Sequence, residues 1–357
     1  MDLKMKNLLG LALLFVVLNV SAQQKRSLTH ADYDGWESVS SDKISSNGQW
    51  VSFEVNPQDG DGRLEIVGHN NTDRRFIIPR GDRFSFSNDN NFGIGRIVAE
   101  KDSLKVLKLK KTKGEDMPKD SLFVIQLATG DIEKLSRVKS FATPKKDANW
   151  LAVLFEKDLP IKPAKKEEGD TTKVETPEKP KKTDGTKLLV RSFDGKSVYE
   201  YDRVKSYGFS ENGSHLFYVK ATEDTLKNEG IFLLDLKTGI SQIIDVGKTE
   251  YLSTQFSDSG KLLAYLTTED SLKTKKPYYD LYLYDIAKSN NQKIAGKNSS
   301  GILENGMVSK SGRINFASDD SRVYFGTISD YATYSYEDDT TILDDERVKL
   351  DIWGWQD

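Results

Sequence analysis

The sequence predicts an all-β protein: a β-propeller of four-stranded antiparallel blades, with about six recognisable blade starts and an incomplete ring. Three observations lead there. A polar turn segment recurs along the chain, strand-length apolar runs flank it, and a hydrophobic fraction of 37% beside 30% charge suits many short, half-buried strands.

The turn segment is clearest in Ser45-Ser46-Asn47-Gly48-Gln49-Trp50-Val51, Ser210-Glu211-Asn212-Gly213-Ser214-His215-Leu216 and Ser257-Asp258-Ser259-Gly260-Lys261-Leu262-Leu263. Looser copies are Ser87-Asn88-Asp89-Asn90-Asn91-Phe92, Ser318-Asp319-Asp320-Ser321-Arg322-Val323 and Lys146-Asp147-Ala148-Asn149-Trp150-Leu151. Asn or Asp before Gly tolerates the positive φ of a tight hairpin, and a preceding Ser or Asp can hydrogen-bond the turn amides. Turns at Asn47, Asp89, Asp147, Asn212, Ser259 and Asp320 therefore mark the blade starts.

A second hairpin follows several of them. Its strands are Leu122-Phe123-Val124-Ile125-Gln126-Leu127 before Thr129-Gly130, Ile231-Phe232-Leu233-Leu234-Asp235-Leu236 before Thr238-Gly239, and Leu281-Tyr282-Leu283-Tyr284-Asp285-Ile286. Two hairpins make a four-stranded unit, and such a unit recurring every few tens of residues is a propeller blade. Tyr282 and Tyr284 alternate with Leu281 and Leu283, as in a strand packed on both faces. Trp36, Trp50, Trp150, Trp353, Trp355, Tyr278 and Tyr279 also read as packing residues.

Residues 1–22 read as a signal peptide: Lys4 and Lys6 precede an apolar run from Leu8 to Leu18, and Val20-Ser21-Ala22 offers a cleavage position. The run is shorter than the ~20 residues of a spanning helix. The expected product begins near Gln23 and is exported, periplasmic or extracellular. Residues 23–43 form a lead-in, in which Thr29 would cap a short helical turn, and 44–357 the propeller. A charged, Pro-containing loop at 157–186 is expected to be disordered, joining strands of one blade, and Lys101 to Lys119 reads as a smaller insertion of the same kind.

The site reading is mostly negative. No cysteine is present, so lipid attachment at cysteine, disulfides and thiol catalysis are excluded. A net charge of −3 implies no attraction to nucleic acid or to a membrane surface. The Gly-x-Ser-x-Gly pentapeptide of a serine hydrolase is absent, and Gly195-Lys196-Ser197-Val198 reads as a hairpin turn. His30, His69 and His215 have no partner at supporting spacing. Glu167-Glu168, Asp338-Asp339 and Asp344-Asp345-Glu346 read as solvated charge. The sequence thus nominates no catalytic residue, no cofactor and no metal ligand.

Several stretches resemble one family, the exported bacterial branch of the prolyl oligopeptidase family of serine peptidases. They are Leu28-Thr29-His30-Ala31-Asp32-Tyr33-Asp34-Gly35-Trp36-Glu37, Ile44 to Phe53, Asp59-Gly60-Asp61-Gly62-Arg63-Leu64, Ile78-Pro79-Arg80-Gly81, the insertion after Phe155, and Val348 to Asp357. The resemblance implies an N-terminal propeller that restricts access, so that peptides reach a Ser-Asp-His triad on a C-terminal α/β-hydrolase domain absent from this chain. It places no catalytic or substrate-amine-binding residue here. The expected role is substrate gating and docking without hydrolysis, and the alternative is a stand-alone exported TolB-like binding propeller. An incomplete ring would leave an exposed edge and an uncovered apolar face.

Overall fold

Serine-anchored turns organise the chain in its computed structural model. The structure describes residues 27–33, 35–146, 150–157, 185–221, 229–271, 273–302 and 304–330. The expected signal peptide, the Asp147 turn, nearly all of the 157–186 insertion and the Val348 to Asp357 motif lie outside them.

The Ser45 hydroxyl donates to Asn47 Oδ1 at 2.7 Å and accepts the Trp50 N–H at 2.9 Å, while Asn47 Oδ1 also takes the Gln49 N–H at 3.0 Å. Ser87 with Asp89 and Ser210 with Asn212 repeat this arrangement. The next residue is left-handed each time: Gly48 at φ 67°, Asn90 at 56°, Gly213 at 65° and Gly260 at 72°. The sixth turn is displaced by one residue from the predicted register. Asp320 takes the left-handed position at φ 60° and Asp319 the capping one, accepting the Ser321 N–H at 3.0 Å. Aspartate tolerates positive φ better than most residues, so that turn closes without glycine.

The turns at Asn47, Asp89 and Ser259 join the first two strands of their sheets. After α1 (His30–Tyr33), the first sheet is β1 (Glu37–Ile44), β2 (Trp50–Pro57), β3 (Arg63–Gly68) and β4 (Arg75–Pro79), in that order. At the start of α1 the Thr29 N–H and hydroxyl both donate to Asp32 Oδ2, at 2.7 and 2.9 Å, so Asp32 rather than Thr29 supplies the accepting oxygen. β1 begins inside the lead-in, and all eight of its residues are exposed.

The second sheet is β5 (Gly81–Phe86), β6 (Phe92–Ile97), β7 (Ser121–Gln126) and β8 (Ile132–Leu135), with α2 (Lys101–Leu109) between β6 and β7. That helix corrects the disordered-loop expectation for 101–119. Lys and Leu are strong helix formers, Leu104 and Leu107 sit one turn apart, and Asp102 and Lys108 complement the helix dipole at its two ends.

A seven-stranded sheet follows: β9 (Val138–Ala142), β10 (Trp150–Phe155), β11 (Thr186–Ser192), β12 (Val198–Phe209), β13 (His215–Ala221), β14 (Glu229–Asp235) and β15 (Ser241–Lys248). It is two four-stranded blades sharing β12. Val198 to Val204 pair with β11, Val204 to Phe209 pair with β13, and the strand shifts register around Arg203, whose φ is 61°. β10 and β11 pair directly, so the chain between them connects neighbours in one sheet. The last complete sheet is β16 (Glu250–Phe256), β17 (Leu262–Thr268), β18 (Asp280–Asp285) and β19 (Asn290–Ala295). Short pairs then join β20 (Gly306–Val308) to β23 (Thr327–Ser329) and β21 (Asn315–Phe316) to β22 (Val323–Tyr324).

The chain divides into two compact units, residues 1–84 with 97–112 and residues 85–96 with 113–357. In the second, alternate side chains of one strand enter different cores. Leu151 and Val153 pack with Ile94, Leu122 and Val124, while Ala152 and Leu154 pack with Leu216, Tyr218 and Leu234. Phe217 and Val219 turn the other way, to Phe256, Leu263 and Tyr265, and Ala264 and Leu266 turn onward to Val308 and Ile314. A period of two therefore welds consecutive sheets face to face, each buried aliphatic side chain contributing about 1.5–3 kcal/mol. Tyr284 and Leu281 obey the same rule, lying in different cores. This is the all-β, four-stranded blade architecture that the repeat predicts.

Candidate functional site

The two ends of each sheet differ. Turns between first and second strands are short and built alike, and in the second unit neighbouring turns are tied together. Asn88 Nδ2 donates to the Lys145 carbonyl at 2.9 Å, the Lys146 N–H to the Glu211 carbonyl at 2.8 Å, and Asn212 Nδ2 to the Ser259 carbonyl at 3.1 Å. The Ser259 hydroxyl donates in turn to Asp320. Antiparallel pairing puts every second-to-third-strand connection at the opposite end. By chain order those connections are 98–120, 156–185, 222–228 and 269–279, of which 98–120 and most of 269–279 are described. Long connections on a rigid scaffold are where binding groups concentrate.

An acid–base network lies at that loop-bearing end of the last sheets. Lys205 on β12 and the Tyr251 N–H, at 3.2 Å, both donate to Glu229 at the start of β14. Glu229 is buried, and that burial pushes its carboxyl above the ordinary range, with Lys205 pulling it partly back and nearby Glu250 adding to the rise. Glu250 accepts the Tyr279 hydroxyl at 2.8 Å and lies 3.6 Å from Lys310. Buried Asp330 takes the hydroxyl of the preceding Tyr278 at 2.8 Å and pairs with Lys297 at 3.0 Å. The Lys297 ammonium stands 3.9 Å from the centre of the Tyr278 ring. Each carboxylate has a donor, so the network presents oriented charge rather than a nucleophile. Its members come from positions 205, 229, 250, 278, 279, 297, 310 and 330, and their sequence spacing forms no motif.

The residues weighed from the sequence stay apart. His69 follows β3 and is exposed, and His30 opens α1. Ser197 lies in the β11–β12 hairpin, donating its N–H to Ser192 Oγ at 3.1 Å. The acidic pairs and clusters at 167–168, 338–339 and 344–346 lie outside the described residues. Among the described residues no group of three His, Cys, Asp or Glu could hold a metal ion.

His215 needs closer inspection, because Ser214 Oγ is 2.8 Å from its Nδ1 and Asp235 is its cross-strand partner. This trio is not a catalytic triad. The Ser214 hydroxyl has its own acceptor in Asn212 Oδ1 at 2.7 Å, and Asp235 is bound to turn amides rather than to the imidazole. Asp235 Oδ1 accepts the amides of Lys237 and Thr238, at 2.8 and 3.1 Å. Burial holds the His215 pKa below its ordinary 6.5, and Asp235 only partly offsets that. A depressed folded-state value makes His215 a source of stability above pH 6.5 that is lost as pH falls through the folded value. Urea melts at several pH values should therefore show a smaller acid-side loss in His215→Gln than in the parent.

No protein-family model matches the sequence, and no curated protein does. Solved structures give distant likenesses. The β-propeller domain of the Trilobed protease from Pyrococcus furiosus is 12% identical at a TM-score of 0.39, over 83% of this chain and 80% of that one. Pyrococcus horikoshii acylaminoacyl peptidase is 12% identical at 0.39, over 81% and 42% respectively, so this chain spans under half of that peptidase. Oligogalacturonate lyase from Vibrio parahaemolyticus is 13% identical at 0.40, over 81% and 74%. At these scores the likenesses assign no function to the chain.

Proposed function

We propose that this chain is the substrate-docking and gating propeller of an exported serine peptidase of the prolyl oligopeptidase kind, with hydrolysis carried out by a domain outside these residues. The observation that carries the reading is the asymmetry of the sheets. One end is closed by tied, near-identical turns, and the other bears the long connections and the network of Glu229, Glu250, Asp330, Lys205, Lys297 and Lys310. Oriented carboxylates and ammonium groups on a rigid frame suit the charged ends and backbone of an extended peptide. The resemblance through the lead-in and Ile44 to Phe53 supports the same reading. Peptide substrates are the partner in this reading.

Purified chain should bind an unstructured peptide in fluorescence anisotropy, ignore a folded protein of similar charge, and cleave neither. A probe for activated serine should leave it unlabelled. Stoichiometric serine labelling would overturn the division of labour, and absence of peptide binding would overturn the docking role.

A further inference from the structure

Helix α2 is built for something other than the core. None of its residues is buried, and among its apolar side chains Leu109 is 77% exposed and Val106 48%. The helix is nevertheless fixed in its own unit: the Lys101 N–H donates to Asp61 Oδ1 at 3.0 Å, and the Lys101 ammonium donates to the Gly60 carbonyl. Leu104 and Leu107 are half-buried, which leaves Val106 and Leu109 at the surface.

Charge is concentrated in the same place. Residues 101–113 contain Lys101, Lys105, Lys108, Lys110, Lys111 and Lys113 against Asp102 alone, which the chain's net −3 conceals. Among the described residues, Lys101, Leu104, Lys105, Lys108 and Leu109 line an open groove of about 380 Å³.

We infer that α2 docks the protein on an anionic phospholipid surface, with Val106 and Leu109 entering the headgroup boundary and Lys105, Lys108 and Lys110 lying among the phosphates. Aliphatic tips flanked by long ammonium side chains match an interfacial helix, whose binding adds apolar burial to attraction for anionic lipid. A surface that takes up aliphatic tips as well as ammonium groups fits better than an acidic peptide, because Val106 and Leu109 are exposed on the same helix as the lysines. Among the described residues no helix is long and apolar enough to cross a membrane, so the contact is peripheral. This inference is independent of peptide docking and would stand if that failed.

Flotation of the mature chain with vesicles tests it, using phosphatidylcholine alone and phosphatidylcholine with about one third phosphatidylglycerol. The expected result is binding to the anionic vesicles only, weakened by salt, and reduced at least about tenfold by Lys105→Glu with Lys108→Glu. Val106→Ser with Leu109→Ser should also release the protein, at unchanged charge. Both pairs lie on an exposed helix, and circular dichroism checks their fold. Equal binding to neutral vesicles, no binding at low salt, or indifference to both variants would overturn the inference. So would capture of the parent by soluble polyglutamate with no binding to vesicles.

Discussion

Ile231→Ala should lower unfolding free energy by about 3 kcal/mol, the range for a fully buried isoleucine cut back to alanine. Ile231 is completely shielded on β14, and its core includes Phe256, Leu263 and Tyr265 from the next sheet. The lost methyl groups therefore leave a cavity between two sheets, where neither can close on it alone. Ile243→Ala on adjacent β15 is the control: that side chain is 63% exposed, and its loss should stay within about 0.5 kcal/mol. Urea denaturation measures both. Combining Ile231→Ala with Leu263→Ala should depart from additivity by about 0.5–1 kcal/mol, because the two share one cavity across the sheet boundary. Strict additivity would mean that the sheets do not share a core.

In the first unit, Glu65→Ala should cost about 2 kcal/mol. Glu65 is 1% exposed on β3 and accepts from Arg63 Nε at 2.7 Å and from Arg75. Arg63 also reaches Glu37 Oε2 at 3.0 Å, so the carboxylate anchors a row of charges over β1, β3 and β4. Burial alone would push the Glu65 carboxyl up, but the two guanidinium groups outweigh it and hold it below the ordinary range. Removing one partner of a buried pair costs about 3–5 kcal/mol when the other is trapped. Here both arginines keep some solvent access, which reduces the loss. The lowered value means stability present above the ordinary carboxylate range and lost as pH falls through the folded value. Acid titration of the parent should show that loss, and Glu65→Ala should lack it.

Much of this fold was legible because its turns obey local chemistry. Ser45, Ser87 and Ser210 each spend a hydroxyl on the turn they open, so the hydrogen-bond pattern is written within six residues. The alternation of Leu281 with Tyr282 likewise reported two packed faces. What escaped depends on tertiary context. The polar sequence of β1 shows no buried face, and the structure leaves it exposed while pairing it with β2 on either side of a bulge at Ser41 and Asp42. Helix α2 was hidden by lysines that suggest disorder until their spacing with leucine is considered. The crossovers between sheets repeat a feature that the sequence did not disclose. Arg80, Arg137 and Arg203 stand there with φ of 61°, 58° and 61°, a left-handed conformation in residues that seldom adopt it. The Arg80 and Arg137 carbonyls accept the N–H groups of Val98 and Glu156, at 3.0 and 2.8 Å. The acid–base network was illegible for another reason: residues scattered from 205 to 330 meet only once the strands have paired.

Amide hydrogen exchange with and without a bound unstructured peptide tests the docking account most directly. Protection is expected at the loop-bearing end, in 269–279 and 297–310, while the turns at 210–214 and 257–261 exchange as before. Protection confined to those turns, or none anywhere at saturating peptide, would contradict it.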